Sequence, residues 1–168
     1  FNILVIGSDM MQGRAGMGER GDSLVLINTN TNDKVIRILT VPRDTYVNVR
    51  GKKTKINHAL AYGGWQLQKA TMEEFLGIKM DKVFFLDVNN LRDIFWVIRQ
   101  EIGNTTVIKD IYNNLGLSGT AEVTWEKVKY MVSTREFTDA AVGRAKNHAR
   151  MLAAIVKTVR EYYNNPDK

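Results

Sequence analysis

At 168 residues, with 44% hydrophobic and 25% charged side chains, the chain can bury a sizeable core and has the balance of a globular protein rather than a disordered one. It has no cysteine, which excludes disulfides and thiolate metal sites, and no stretch approaches the ~18 apolar residues of a membrane span. A net charge of +6 favours anionic partners, but the excess is spread along the chain instead of gathered in a basic tail, which argues against a nucleic-acid-binding arm.

The chain opens at Phe1 directly on a strand-like run, with no initiator Met and no signal-peptide pattern, as an excised domain would. Three runs rich in Val, Ile and Leu follow one another: ILVI, SLVLIN and VIRILTV. Each has the length and composition of a buried strand. The stretch TNTNDK between the second and third is short enough for a hairpin. Polar clusters flank the runs: Gly7-Ser8-Asp9 after the first, Arg20-Gly21-Asp22 before the second, and Pro42-Arg43-Asp44 after the third.

If the first strand runs up, the second descends from Asp22 and the third climbs to Arg43. Asp9, Arg20, Asp22, Arg43 and Asp44 then share one rim of one sheet. Carboxylates supply hard oxygens to a divalent cation, and guanidiniums grip phosphate oxygens bidentately. Ordinary surface ion pairs are the plainer alternative.

Further along, Thr45 to Lys55 is a polar excursion with a basic turn at Arg50, Gly51, Lys52 and Lys53. A short helix is expected from Asn57 to Tyr62, stopped by Gly63-Gly64, and a second from Trp65 to Leu76, ended by Gly77. KVFFLDV (Lys82 to Val88) is a fourth buried strand. Asn89 or Asn90 caps a helix to Ile102 with Leu91, Ile94, Phe95 and Ile98 on one face. Thr105 to Ile108 is a short strand, and Asp110 to Val123 is irregular. Thr124 caps a helix ending near Ser133, and the last helix runs from about Ala140 to Tyr163. The pattern implies a single α/β domain over residues 1–168, a three-layer α/β/α arrangement around a central mixed sheet.

Gly16-Met17-Gly18-Glu19-Arg20-Gly21 matches a dinucleotide-binding GxGxxG, with Asp44 downstream of it. That fingerprint requires the glycines to open a helix whose N-terminus receives pyrophosphate. Here they open SLVLIN, a strand, so they are better understood as a loop over the rim. His58 is expected to be structural. His148 is a base only if its helix faces the rim. Ser133 lacks a partner that would make it a nucleophile. Phe84, Phe85, Phe95 and Trp96 have the pattern of core residues.

The segments NILVIGSD, RGDSLVLINTNTNDKVIRILTVPRDTYV, KINHALAYGG and LGIKMDKVFFLDVNNL, in that order, make the chain similar to the LytR-CpsA-Psr family of bacterial envelope proteins from about Asn2 to Leu152. The resemblance implies an extracytoplasmic domain tethered by an upstream transmembrane helix absent from this sequence. It implies a magnesium-dependent phosphotransferase that moves a glycopolymer from a polyprenyl (pyro)phosphate carrier in the membrane onto peptidoglycan or another envelope acceptor. Carried over by position, Asp9 and Asp22 hold Mg2+, while Arg20, Arg43, Arg135 and Arg144 bind the diphosphate. Asp44 orients Arg43 or acts in proton transfer, so that Arg43 and Asp44 form the catalytic pair. Some of the aromatics line the lipid cleft that the family has between sheet and helices.

The sequence also departs from the family pattern. Ser133 stands where the first of two arginines is usual, Ala141 where an acidic residue precedes the Gly-Arg pair, and Asn147-His148-Ala149 where Arg-Gln-Gln is usual. These departures suggest an alternative: a non-catalytic relative that binds polyprenyl phosphate or wall polymer without turnover.

Overall fold

A computed structural model describes residues 1–8, 20–104, 109, 124–134, 136–137 and 140–164. They fall into two compact units, Phe1–Val88 and Asn89–Lys168.

The first unit is built on a four-stranded mixed sheet of order β3-β2-β1-β6. Its strands are β1 (Asn2–Ser8), β2 (Ser23–Asn30), β3 (Val35–Val41) and β6 (Lys82–Asp87). β1 runs antiparallel to β2 and parallel to β6, and β3 runs antiparallel to β2. The uninterrupted apolar runs of β1 and β2 are explained by burial on both faces. Leu4, Ile6, Leu24 and Leu26 point into a core completed by Ala59, Leu60 and Met72 of the following helix, while Val5, Val25 and Ile27 on the opposite face are also buried. Burying each such side chain contributes roughly 1.5–3 kcal/mol. Gly7 lets the two strands approach at the rim, since a Cβ there would lie 2.9 Å from that of Ser23.

The segment after Asp44 is more regular than the sequence suggests. β4 (Tyr46–Val49) and β5 (Lys52–Lys55) form a separate antiparallel ribbon. Arg50 and Gly51 join them with φ of 52° and 81°. Two successive positive φ values define the type I′ turn that matches strand twist. The turn is hard to foresee because Arg occupies a position usually taken by Asn, Asp or Gly. Val47 and Val49 are buried on one side of the ribbon, but the remaining polar and basic residues mask the alternation.

Helix α1 (His58–Leu76) is two helical pieces across a kink at Gly63 and Gly64, as the paired glycines imply. Gly64 (φ 66°, ψ −165°) occupies backbone space almost confined to glycine. Gly77 ends the helix in the left-handed region at φ 67°, its N–H donating to the Glu73 carbonyl at 2.9 Å.

The second unit contains α2 (Val88–Asn104, whose first residue closes the first unit), α3 (Trp125–Ser133) and α4 (Ala140–Asn164). α2 begins directly at the end of β6, one or two residues ahead of the Asn caps expected. Thr124 caps α3, its hydroxyl accepting from Lys127 N at 3.4 Å. α3 and α4 share buried Val128, Met131, Met151 and Ala154. Phe95 is core, 2% exposed, with Trp125 at a ring separation of 6.0 Å. Phe84, Phe85 and Trp96 are not core, being 57%, 44% and 53% exposed. For the two phenylalanines the reason is that β6, among the described residues, is a sheet edge hydrogen-bonded only to β1. The expected strand at Thr105 to Ile108 and the irregular stretch from Asp110 to Val123 lie outside the described residues, apart from Lys109.

Candidate functional site

The strand pairings place the C-terminal ends of β1, β3 and β6 and the N-terminal end of β2 on one rim. Gly7 pairs with Ser23, Ser8 with Asp87, and Leu24 with Val41. This is the edge of an α/β sheet, at the C-terminal ends of its parallel strands, where ligands are commonly bound. Asp22 is held there by its own N–H, which donates to the Gly7 carbonyl at 2.8 Å.

Arg43 and Asp44 reach the rim through a tight turn. The Pro42 carbonyl accepts both from Thr45 N (3.0 Å) and from Thr45 Oγ1 (2.7 Å). Arg43 Nη1 donates to Asp22 Oδ1 across the gap between the strands. Its Nε stands 3.7 Å from Asp44 Oδ2, and Lys55 Nζ lies 2.7 Å from Asp44 Oδ1. The result is a chain of alternating charge, Asp22–Arg43–Asp44–Lys55. Arg43 Nε is buried and makes no hydrogen bond among the described residues, while the guanidinium side chain as a whole remains 23% exposed.

The helix α1 side of the site is attached through backbone. Asn57 N donates to the Arg43 carbonyl at 3.3 Å, and Ile56 N to the Thr45 carbonyl at 2.8 Å. His58 Nδ1 hydrogen-bonds Thr54 Oγ1 at 2.8 Å, and its ring is 5.6 Å from that of Tyr62. Burial, then the cations Arg20 and Lys55, push its pKa below 6.5, and Asp44 only partly opposes them. The unfolded chain therefore binds more protons than the folded one just below 6.5. This contribution to stability is complete above that value and is lost as pH falls through the folded pKa. His58→Gln should accordingly flatten the rise of melting temperature between about pH 5 and 7. Superimposable profiles for the variant and the parent would exclude it.

Of the site residues expected from sequence, Asp22, Arg43 and Asp44 come together on the rim. Arg20 is exposed at the entry to β2, and its charge is felt at His58. Asp9 and Arg135 lie outside the described residues. Arg144 is buried in α4, in the other unit. Lys55 and Asp87 at the rim were not singled out as site residues; only their positions after or within strand-like runs could have marked them. His58, expected to be structural, hydrogen-bonds Thr54 beside the rim. Gln68 was also missed. It is fully buried beneath Gly21, where a Cβ would stand 3.8 Å from its Oε1, and that oxygen accepts from Leu60 N at 3.2 Å.

The departures in the second unit have a structural use. The last turn of a helix leaves carbonyls without intrahelical partners. Ser133 Oγ donates to the Lys129 carbonyl (2.8 Å), Thr134 N to Tyr130 (2.8 Å), Asn147 Nδ2 to Met131 (3.4 Å) and His148 Nε2 to Val132 (2.7 Å). His148 Nε2 is therefore a structural donor.

Asp22 fits a magnesium site of the kind that combines one or two carboxylates with substrate phosphates. It is 22% exposed and its Oδ1 is shared with Arg43. Among the described residues no group of three His, Cys, Asp or Glu forms a self-sufficient protein cage.

A mixed sheet whose rim presents two carboxylates linked to a guanidinium and an ammonium defines an α/β domain with a charged ligand-binding edge. The LytR_cpsA_psr family profile matches residues 1–162, and the chain belongs to that family. It is 29% identical over 163 residues to the polyisoprenyl-teichoic acid–peptidoglycan teichoic acid transferase TagU of Bacillus licheniformis, covering 93% of this chain and 51% of TagU. Over 167 residues it is 32% identical to the transferase TagT of Bacillus subtilis, covering 93% and 52%. Among solved structures it is similar to "TagT bound to LI-WTA", with a TM-score of 0.71 and 29% identity, over 96% of this chain and 64% of that one. It is also similar to "LytR-CPS2A-psr family protein YwtF (TagT) with bound octaprenyl pyrophosphate lipid", with a TM-score of 0.69 and 28% identity, over 95% and 65%. The chain thus spans about half the length of these curated relatives.

Proposed function

We propose that this protein transfers a phosphoglycosyl polymer from a polyprenyl diphosphate carrier to a hydroxyl of peptidoglycan or a comparable envelope acceptor. The observation that carries the proposal is the Asp22–Arg43 pair at the sheet rim, backed by Asp44 and Lys55. The acceptor hydroxyl oxygen bonds to the phosphorus that bears the sugar, the bond from that phosphorus to the lipid phosphate oxygen breaks, and the hydroxyl proton passes to the departing lipid phosphate or to solvent. Positioning and charge stabilisation dominate such transfers. Arg43 supplies donors to the phosphoryl oxygens, and Asp44 orients its guanidinium. Arg20, exposed at the entry to β2, adds a further cation for the diphosphate; Arg135 and Arg144 are the remaining arginines that the family resemblance assigns to it. Asp22 and Asp9 would hold Mg2+, which when bound neutralises diphosphate charge.

The family membership and the relatives' lipid-linked substrates support this reading, as do the exposed Phe84 and Phe85 on β6, which offer apolar surface to a prenyl chain. The reading places the protein on the extracytoplasmic side of the membrane. No helix among the described residues is long and apolar enough to cross one.

A second reading, a lipid- or polymer-binding relative without turnover, is favoured by the use of Ser133, Asn147 and His148 to close helix α3. Native mass spectrometry of the purified protein, followed by incubation with a polyprenyl diphosphate-linked sugar with Mg2+ or with EDTA, separates the two. Transfer requires a bound prenyl phosphate and metal-dependent release of lipid phosphate. Bound lipid with no release supports the binding reading, and neither binding nor release overturns both.

A further inference from the structure

Between Asp44 and Glu73 the chain contains no acidic residue, yet it carries Arg50, Lys52, Lys53, Lys55 and Lys69. Four of these five cations lie on the β4–β5 hairpin or its turn. Among the described residues, none of Arg50, Lys52 and Lys53 has a carboxylate within ion-pairing distance.

The register sorts the hairpin into two faces. Val47 and Val49 are buried, so Tyr46 and Asn48 face outward, paired across the ribbon with Lys55 and Lys53. Tyr46 is 70% exposed. Lys55 joins this outer face to the rim by its 2.7 Å contact with Asp44. Lys53 follows about 7 Å farther out, two residues along the strand, and Arg50 lies at the turn.

The hairpin is also fixed in place. Arg50, although not glycine, is held at φ 52°, its Nη1 donating to the Tyr62 carbonyl at 3.3 Å. Its other terminal nitrogen occupies space that only a glycine at position 63 leaves open, since a Cβ there would lie 2.8 Å away. A rigid cationic ribbon with an exposed aromatic ring, starting at the rim, suits a chain of repeating phosphates and polyol or sugar units.

We propose that the outer face of the β4–β5 hairpin is a track for the polymeric part of the substrate. A phosphodiester-linked polyol or sugar chain runs from the rim outward, with Tyr46 against its carbon face and Lys53 and Arg50 against successive phosphates. The assignment rests on the phosphotransferase reading for its choice of polyanion. A membrane surface is the poorer match, because interfacial binding buries apolar side chains and this face offers none beyond Tyr46.

The test is calorimetric titration of the 168-residue chain with lipid-free poly(glycerol phosphate) at two salt concentrations. The charge reversal Lys53→Glu should lower affinity several-fold and reduce the salt slope by about one, because each neutralised phosphate releases roughly one counterion. Lys53→Arg should keep the parental affinity. Unchanged binding by the charge-reversed protein, with parental melting behaviour, overturns the track. So does a parent that ignores the polymer but binds phosphatidylglycerol vesicles. Cleavage of a diphosphate lipid bearing a single sugar should be the same in the reversed and parental proteins. If the parent shows no such cleavage but hairpin-dependent polymer affinity, phosphotransfer falls and the track stands.

Discussion

Replacing Arg43 with Ala should lower release of lipid phosphate about 10²–10³-fold, the usual loss when one preorganised donor to a developing charge is removed. Stability should hardly move. The Asp22–Arg43 pair is partly solvated, with side chains 22% and 23% exposed, and pairs of this kind contribute about 0.2–1 kcal/mol. For a chain of this size that is a shift of roughly 1–4 °C in Tm. A large kinetic effect without a thermal one is therefore expected, and single-turnover release beside a melting curve measures both. Asp22→Ala should also be severe. The double variant should be little worse than the poorer single one, because the two side chains act through one contact. Full turnover in either single variant would remove the pair from catalysis.

The second large effect concerns the fold. Gly64→Ala forces a side chain into φ 66°, ψ −165°, at a cost of about 1–3 kcal/mol. Gly63→Ala meets a different obstacle. Its new Cβ would stand 2.7 Å from Leu67 Cβ and 2.8 Å from Arg50 Nη2, so the helix must shift at Leu67 and the Arg50 guanidinium must leave its place, at roughly 1–3 kcal/mol. Gly77→Ala provides the contrast: it is also left-handed at φ 67°, but a Cβ there meets nothing within 4 Å, and only about 1–2 kcal/mol of backbone strain is expected. The fall in denaturant midpoint should be larger for Gly63→Ala and Gly64→Ala than for Gly77→Ala. If all three were equal, contact with Arg50 and Leu67 would contribute nothing to holding the hairpin.

The sheet and its rim were legible because their signals are local and redundant. Continuous Val, Ile and Leu runs, a short Asn-rich turn and charges at each run's end point to the same antiparallel order. The glycine pair and Gly77 mark the breaks in α1 for the same reason, since only glycine is comfortable in those backbone conformations. The β4–β5 hairpin was not legible. Its strands are four residues each, its polar face is mostly basic, and Arg50 occupies a turn position that composition would not assign to it. Exposure of Phe84 and Phe85 was equally hidden, because composition cannot say that β6 will pair on one side only. Lys55 joins the site through Asp44, 11 positions away in sequence, a distance at which no periodicity carries information.

The closure of helix α3 bears on how the second unit forms. At nine residues, α3 is shorter than an isolated helix can sustain in water. The carbonyls of Met131 and Val132 in its last turn are met by side chains that arrive 16 residues later, from Asn147 and His148. Helix α3 is thus conditional on α4: a nascent chain ending before Asn147 would leave it frayed, and order would spread back toward Trp125 only once the downstream helix had emerged and docked.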